Sequence, residues 1–100
     1  MAEKAKATDQ EIERALADLP GWRREGKALV KVFELGGFKA AMAFAQTVAE
    51  LAERADHHPD INIQFHRVTL TLTSHDAKGV TDRDLRLARQ IEAAALDTRA

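Results

Sequence analysis

Cysteine is absent from the 100-residue chain, which removes disulfides, thiolate catalysis and zinc–thiolate sites together. No apolar run approaches the ~20 residues of a membrane span. The opening Met1-Ala2-Glu3-Lys4-Ala5-Lys6-Ala7 lacks the apolar core of a secretory signal. Charge of one sign is lacking too: 15 Lys and Arg are interleaved with 16 Asp and Glu, for a net charge of −1. Neither a nucleic-acid footprint, which needs a clustered basic face, nor a membrane partner is therefore expected. A convincing nucleophile, a phosphate-cradling loop and a redox cofactor motif are also missing. What remains reads as a cytoplasmic protein with a disordered tail over 1–7 and one domain over 8–100.

The elements follow from punctuation and periodicity. Thr8-Asp9-Gln10-Glu11 is a capping box that opens a helix with Ile12, Ala15, Leu16 and Leu19 on its inner side. Asp18-Leu19-Pro20-Gly21 ends it. Trp22-Arg23-Arg24-Glu25 predicts a short edge strand and Gly26-Lys27 a tight turn. Residues 28–35 form the next strand, with Ala28, Val30 and Val32 on one face and Leu29, Phe33 and Leu35 on the other. After Gly36-Gly37 a helix is expected from Phe38 to Ala55, ending before Pro59.

Two alternating runs come next, Ile61, Ile63, Phe65 and Val68, Leu70, Leu72. A turn at His66-Arg67 would pair Phe65 with Val68, Ile63 with Leu70 and Ile61 with Leu72, with all six on one face. Thr81-Asp82-Arg83-Asp84 caps a final helix whose inner face holds Leu87, Ala88, Ile91, Ala94 and Ala95. The fold class expected is α+β: a four-stranded antiparallel sheet with three helices on one face, in the order α-β-β-α-β-β-α.

All four histidines fall between Glu53 and His75. Histidine exchanges protons near neutral pH. His57 and His58 stand where a helix ends before Pro59, and the expected hairpin returns His75 to that end. Glu53 and Asp56 can orient an imidazole, and Arg83 lies in the following cap. A bland alternative is that terminal histidines merely favour the helix dipole. Metal binding is disfavoured, because adjacent histidines diverge and no His-x-x-x-His pair exists. His66 is expected in a solvent-facing turn.

The chain resembles the pterin-4a-carbinolamine dehydratases. The matching residues are Glu53-x-x-x-His57-His58-Pro59, Phe65, Val68, Thr71-Leu72-Thr73-Ser74-His75, Gly79-Val80 and Thr81-x-Arg83-Asp84. Upstream, Leu19-x-Gly21-Trp22, Phe33 and Phe38-x-x-Ala41-x-x-Phe44 also fit. The resemblance implies loss of water from 4a-hydroxytetrahydrobiopterin, or a related pterin, to give the quinonoid dihydropterin. It implies His57, His58 and His75 as acid–base groups, with Glu53, Asp56, Trp22, Arg83 and Ser74 at the substrate. No metal and no organic cofactor are implied. The implied partners are a pterin substrate, a second copy in a homodimer or homotetramer, and an aromatic amino-acid hydroxylase in the same pathway. Some members of the family instead bind a transcription factor or assist assembly of the carbon-fixing enzyme. Two positions depart from the pattern: Ile61 where an aromatic is common, and Lys78 where a small residue precedes the glycine.

Overall fold

Thr8 closes the first helix by the reciprocal bonds its spacing predicts. Its hydroxyl accepts from the Glu11 amide at 3.0 Å, and Glu11 Oε1 accepts from the Thr8 amide at 2.8 Å. The computed structural model describes residues 6–99. Helix α1 spans Asp9–Leu16 and buries Ile12 and Ala15. Of the tail expected over 1–7, residues 1–5 lie outside the described residues. Lys6 forms an isolated antiparallel bridge with Thr81, and the Ala7 amide donates to Val80 O at 2.8 Å.

Strands β1 (Arg23–Glu25) and β2 (Ala28–Glu34) follow, then helix α2 (Phe38–Ala55), strands β3 (Asp60–Gln64) and β4 (Arg67–Leu72), and helix α3 (Asp82–Arg99). The expected order is therefore observed. The sheet runs β1-β2-β4-β3, all neighbours antiparallel, so β1 and β3 are its edges. Register puts Leu29 opposite Leu72 and Phe33 opposite Val68, and these residues are fully buried with Leu70 on the helix side. Phe44 and Val48 of α2 and Leu87 and Ile91 of α3 complete that core. Each such side chain contributes roughly 1.5–3 kcal/mol by leaving water. The rings of Phe33 and Phe44 lie 4.8 Å apart, and Trp22 meets Phe33 edge-on at 6.1 Å.

A buried polar knot fastens the corner before β1 to α3. Glu92 Oε1 accepts from Trp22 Nε1 at 2.9 Å and also from Lys31 Nζ, which donates in addition to Pro20 O at 2.7 Å. Gly21 sits against this knot at φ +83°. A Cβ there would lie 2.8 Å from Lys31 Cε, so both conformation and space call for glycine.

The β3–β4 hairpin corrects the expected register. Gln64 pairs with Arg67, Ile63 with Val68 and Ile61 with Leu70, so the turn is Phe65-His66 and not His66-Arg67. Phe65 takes φ +53° and is 69% exposed. Alternation selects a face but not the register, because a slip of two partners leaves every side chain on the same side. The choice is made by β2: the Leu35 amide donates to His66 O at 2.8 Å, which ties the turn to the end of that strand. His66 stands in the turn as expected and is half-buried, with Nε2 3.4 Å from Glu34 Oε1. No helix among the described residues is long and apolar enough to cross a membrane.

Candidate active site

The end of α2 aims His57 inward. Asp56 adopts the left-handed conformation, φ 51° and ψ 44°. Its amide donates to Glu53 O at 3.2 Å, and the His57 amide donates to Ala52 O at 3.1 Å. This pair of bonds is a Schellman closure, and aspartate is among the few residues besides glycine that tolerate its left-handed position. The chain reverses, and His57 becomes buried at 8% exposure.

His57 Nε2 lies 2.5 Å from Oδ1 of Asp84, a residue with no solvent exposure. The other oxygen, Oδ2, accepts from Ser74 Oγ and from the Thr81 amide, each at 2.8 Å. Ser74 Oγ and Thr81 Oγ1 are 2.8 Å apart, and Thr81 Oγ1 accepts from the Arg83 amide at 3.2 Å. A carboxylate without water needs protein donors, and here an imidazole, a hydroxyl and a main-chain amide supply them. Thr81-x-x-Asp84 thus caps α3 and holds His57 with the same carboxylate.

The remaining expected residues are placed around this network unequally. Arg83 lines a cavity of about 290 Å³ together with His57, Arg54, Ala55, Arg86, Leu87 and Gln90. Its Nη2 donates to Asp76 Oδ1 at 2.6 Å, while its Nε is buried with no partner among the described residues. That hydrogen bond from Arg83 holds the Asp76 carboxyl below its ordinary value of 3.8. His58 faces solvent with Nε2 2.7 Å from Glu53 Oε2. This exposed pair adds little stability but restrains the ring.

His75 follows Ser74 directly, yet opens on a separate groove of about 330 Å³ with Lys27, Ala28, Thr73 and Lys78. Where one cleft was expected for the three histidines, His57 and His75 line different hollows within this chain and the exposed His58 lines neither. Trp22 is 5% exposed and spends its N–H on Glu92, so it stands in the core and not on the His57 cavity. Ser74 is buried as well and acts on Asp84. The Asp56 main chain shapes the helix end, and its side chain is exposed.

Asp84 is the residue that sequence reasoning placed only in a helix cap. A signal existed, since a buried-helix acid at Thr-x-x-Asp spacing can face inward as readily as it caps. Nothing in the spacing separates the two roles, and here one side chain performs both. Among the described residues, no three His, Asp or Glu side chains gather closely enough to hold a metal ion.

The sequence profile of the pterin 4 alpha carbinolamine dehydratases matches residues 5–94. The chain belongs to this family. A Thermomicrobium roseum protein bearing the pterin-4-alpha-carbinolamine dehydratase name is 51% identical over 87 residues, 87% of this chain and 94% of that protein. A Roseiflexus relative with the same name is 52% identical over the same shares. The crystal structure of a transcriptional coactivator/pterin dehydratase from Brucella melitensis superposes with a TM-score of 0.84 at 34% identity, covering 88% of this chain and 96% of that one. A pterin dehydratase-like protein described as a RuBisCO assembly factor in the alpha-carboxysome gives a TM-score of 0.61 at 25% identity, covering 74% and 86%. The dehydratase fold thus hosts relatives titled for more than one role.

Proposed function

We propose that this chain removes water from a 4a-hydroxytetrahydropterin, 4a-hydroxytetrahydrobiopterin or a close relative, to give the quinonoid dihydropterin. The observation that carries the reading is the His57–Asp84 pair, with Ser74 on the other carboxylate oxygen. When the Asp84 carboxylate accepts the Nε2 proton, the tautomer is chosen and Nδ1 keeps its lone pair for proton transfer. The reaction needs both kinds of group. The C4a–O bond breaks as the hydroxyl gains a proton and leaves as water. The N5–H bond gives up its proton as N5=C4a forms.

His57, His58 and His75 are the proton-transfer set in this proposal, each step worth typically about 10²–10⁴-fold. Glu53 orients His58 through their 2.7 Å contact. Arg83 lines the His57 cavity, where its guanidinium suits a ring oxygen of the pterin. Asp56 shapes the rim, and Trp22 supports it through the core. On the same reading the product returns to the cofactor pool of an aromatic amino-acid hydroxylase in the cytoplasm.

The test is dehydration of a 4a-hydroxytetrahydropterin generated in situ, with and without the protein. Acceleration supports the proposal, and a folded protein without effect rejects it. A second reading, a non-catalytic partner protein, draws on the exposed Phe38, Met42 and Phe65 and on the assembly-factor relative. The same assay separates the two.

A further inference from the structure

The loop that carries His75 is closed on itself. The Ser74 amide donates to Gly79 O at 2.9 Å, the Gly79 amide to Ser74 O at 3.2 Å, and the Lys78 amide to His75 O at 3.2 Å. Lys78 is held at φ +61°, in the left-handed region where a lysine is disfavoured, so the loop fixes this ammonium-bearing residue against its backbone preference. Across the groove, Thr73 Oγ1 donates to Lys27 O at 2.5 Å and pins the β1–β2 turn in place.

Lys27 and Lys78 wall two hollows. One is the His75 groove. The other, about 320 Å³, is lined also by Lys6, Asp9, Arg24 and Gly79. Lys6 is laid across Gly79 so closely that a Cβ there would lie 2.9 Å from Lys6 Cδ. The two hollows share Lys27 and Lys78, so a group seated at the first stands against the same lysines that line the second.

Charge in this corner is unbalanced. Asp9 is the single acid lining either hollow, and Arg24 takes it at 2.6 Å. The neighbouring Asp76 is bound by Arg83. Lys6, Lys27 and Lys78 make no ion pair among the described residues. Three lysines thus line this corner with no carboxylate paired to them among the described residues, in a chain whose net charge is −1. Like charges held together favour the arrival of an anion, and low-charge surroundings focus that field.

We infer that the His75 groove continues into a cationic subsite, built by Lys27, Lys78 and Lys6, that holds an acidic group on the side chain of the pterin. The inference rests on the pterin reading of the site and deepens it. The substrate of this chain is then a reduced pterin with a phosphate- or carboxylate-bearing tail. Its tail extends past His75 to the lysines.

The test uses the full chain and equilibrium binding of 7,8-dihydroneopterin and its side-chain monophosphate, at low and high sodium chloride. The phosphate form is expected to bind at least about tenfold tighter at low salt, with the advantage shrinking as salt rises. Lys27→Gln with Lys78→Gln should erase the difference between the two ligands, and Lys27→Arg with Lys78→Arg should keep it. Equal affinities in the unmodified protein overturn the inference, and so does a preference that survives the glutamine pair. Inorganic phosphate is the third arm. If it binds as tightly as the pterin phosphate and dihydroneopterin does not compete, the corner takes free anions and the inference fails. Dehydration of a neutral substrate is read separately. A salt-sensitive preference without turnover rejects the enzymatic reading alone, and turnover without preference rejects the subsite alone.

Discussion

His57 and Asp84 lie 27 residues apart in the chain and 2.5 Å apart in the fold. The Schellman end of α2 delivers the first and the N-terminal box of α3 delivers the second. Their contact therefore reports the packing of two helices as well as the state of one imidazole.

Replacement Asp84→Asn tests that contact. The amide can keep its oxygen on Ser74 Oγ and the Thr81 N–H, which sets its NH₂ against His57 Nε2 and imposes the other imidazole tautomer. A loss of about 1–3 kcal/mol of stability is expected as charge-assisted hydrogen bonds become neutral ones. The dehydration kcat should fall by roughly 10²–10⁴, with KM changed far less. Thermal unfolding and steady-state kinetics together check this. A folded variant with the original kcat would remove Asp84 from the mechanism.

His58 and His75 are both exposed, so His58→Ala combined with His75→Ala should spare the fold. The melting temperature is expected within a few degrees of the parent, on the order of 0.5 kcal/mol for surface substitutions. Rate enhancement should vanish. Full dehydratase activity in the folded double variant would sink the histidine proposal.

Asp76 titrates below the ordinary carboxylate value because Arg83 hydrogen-bonds its charged form. Since the folded pKa is depressed, the contribution to stability is present above the unfolded pKa and is lost as pH falls through the folded one. The side-chain carboxyl resonance of Asp76 should titrate below 3.8 and move back upward in Arg83→Gln. A resonance that ignores the substitution would show that the pair does not persist in solution.

Both edges of the sheet, β1 and β3, end in strands with unpaired main-chain groups. Such edges tend to pair, and pairing by a two-fold axis gives even-numbered assemblies. Ile61 of β3 is exposed, and so are Phe38 and Met42 of α2. Sedimentation equilibrium at micromolar concentration should show a dimer or tetramer. A strict monomer across that range would refute the assembly proposal and leave the catalytic one standing.

Much of this fold was legible because its signals are local. Thr8-x-x-Glu11 announces α1, and the stretch between Gly37 and Pro59 brackets α2. The inward face of β4 follows from alternation, whereas β2 is apolar on both faces and its inward side is set by packing. The hairpin turn was not legible, because alternation repeats every two residues and the deciding bond, Leu35 N–H to His66 O, comes from a third strand. His57 was singled out by type and position and Ser74 by the family resemblance, but the acid that joins them looked like an ordinary cap. Lys6, Lys27 and Lys78 stand far apart in the chain, so their convergence had no signature in composition or in charge runs.

The knot of Lys31, Glu92 and Trp22 restricts which sequences can be reached from this one by single steps. Both charged side chains are mostly shielded, at 10% and 17% exposure. Removing Glu92 alone would strand an ammonium and an indole N–H, and removing Lys31 alone would strand a carboxylate. Either step costs about 3–5 kcal/mol, whereas exchanging both for packed apolar residues can be neutral. Set against a total stability of roughly 5–15 kcal/mol, the single steps pass near the edge of unfolding. Gly21 adds to the constraint, since any side chain there strikes Lys31. Divergence at this corner is thus expected to come in coupled exchanges, and a library that varies one of these positions at a time would misjudge how much change the core tolerates.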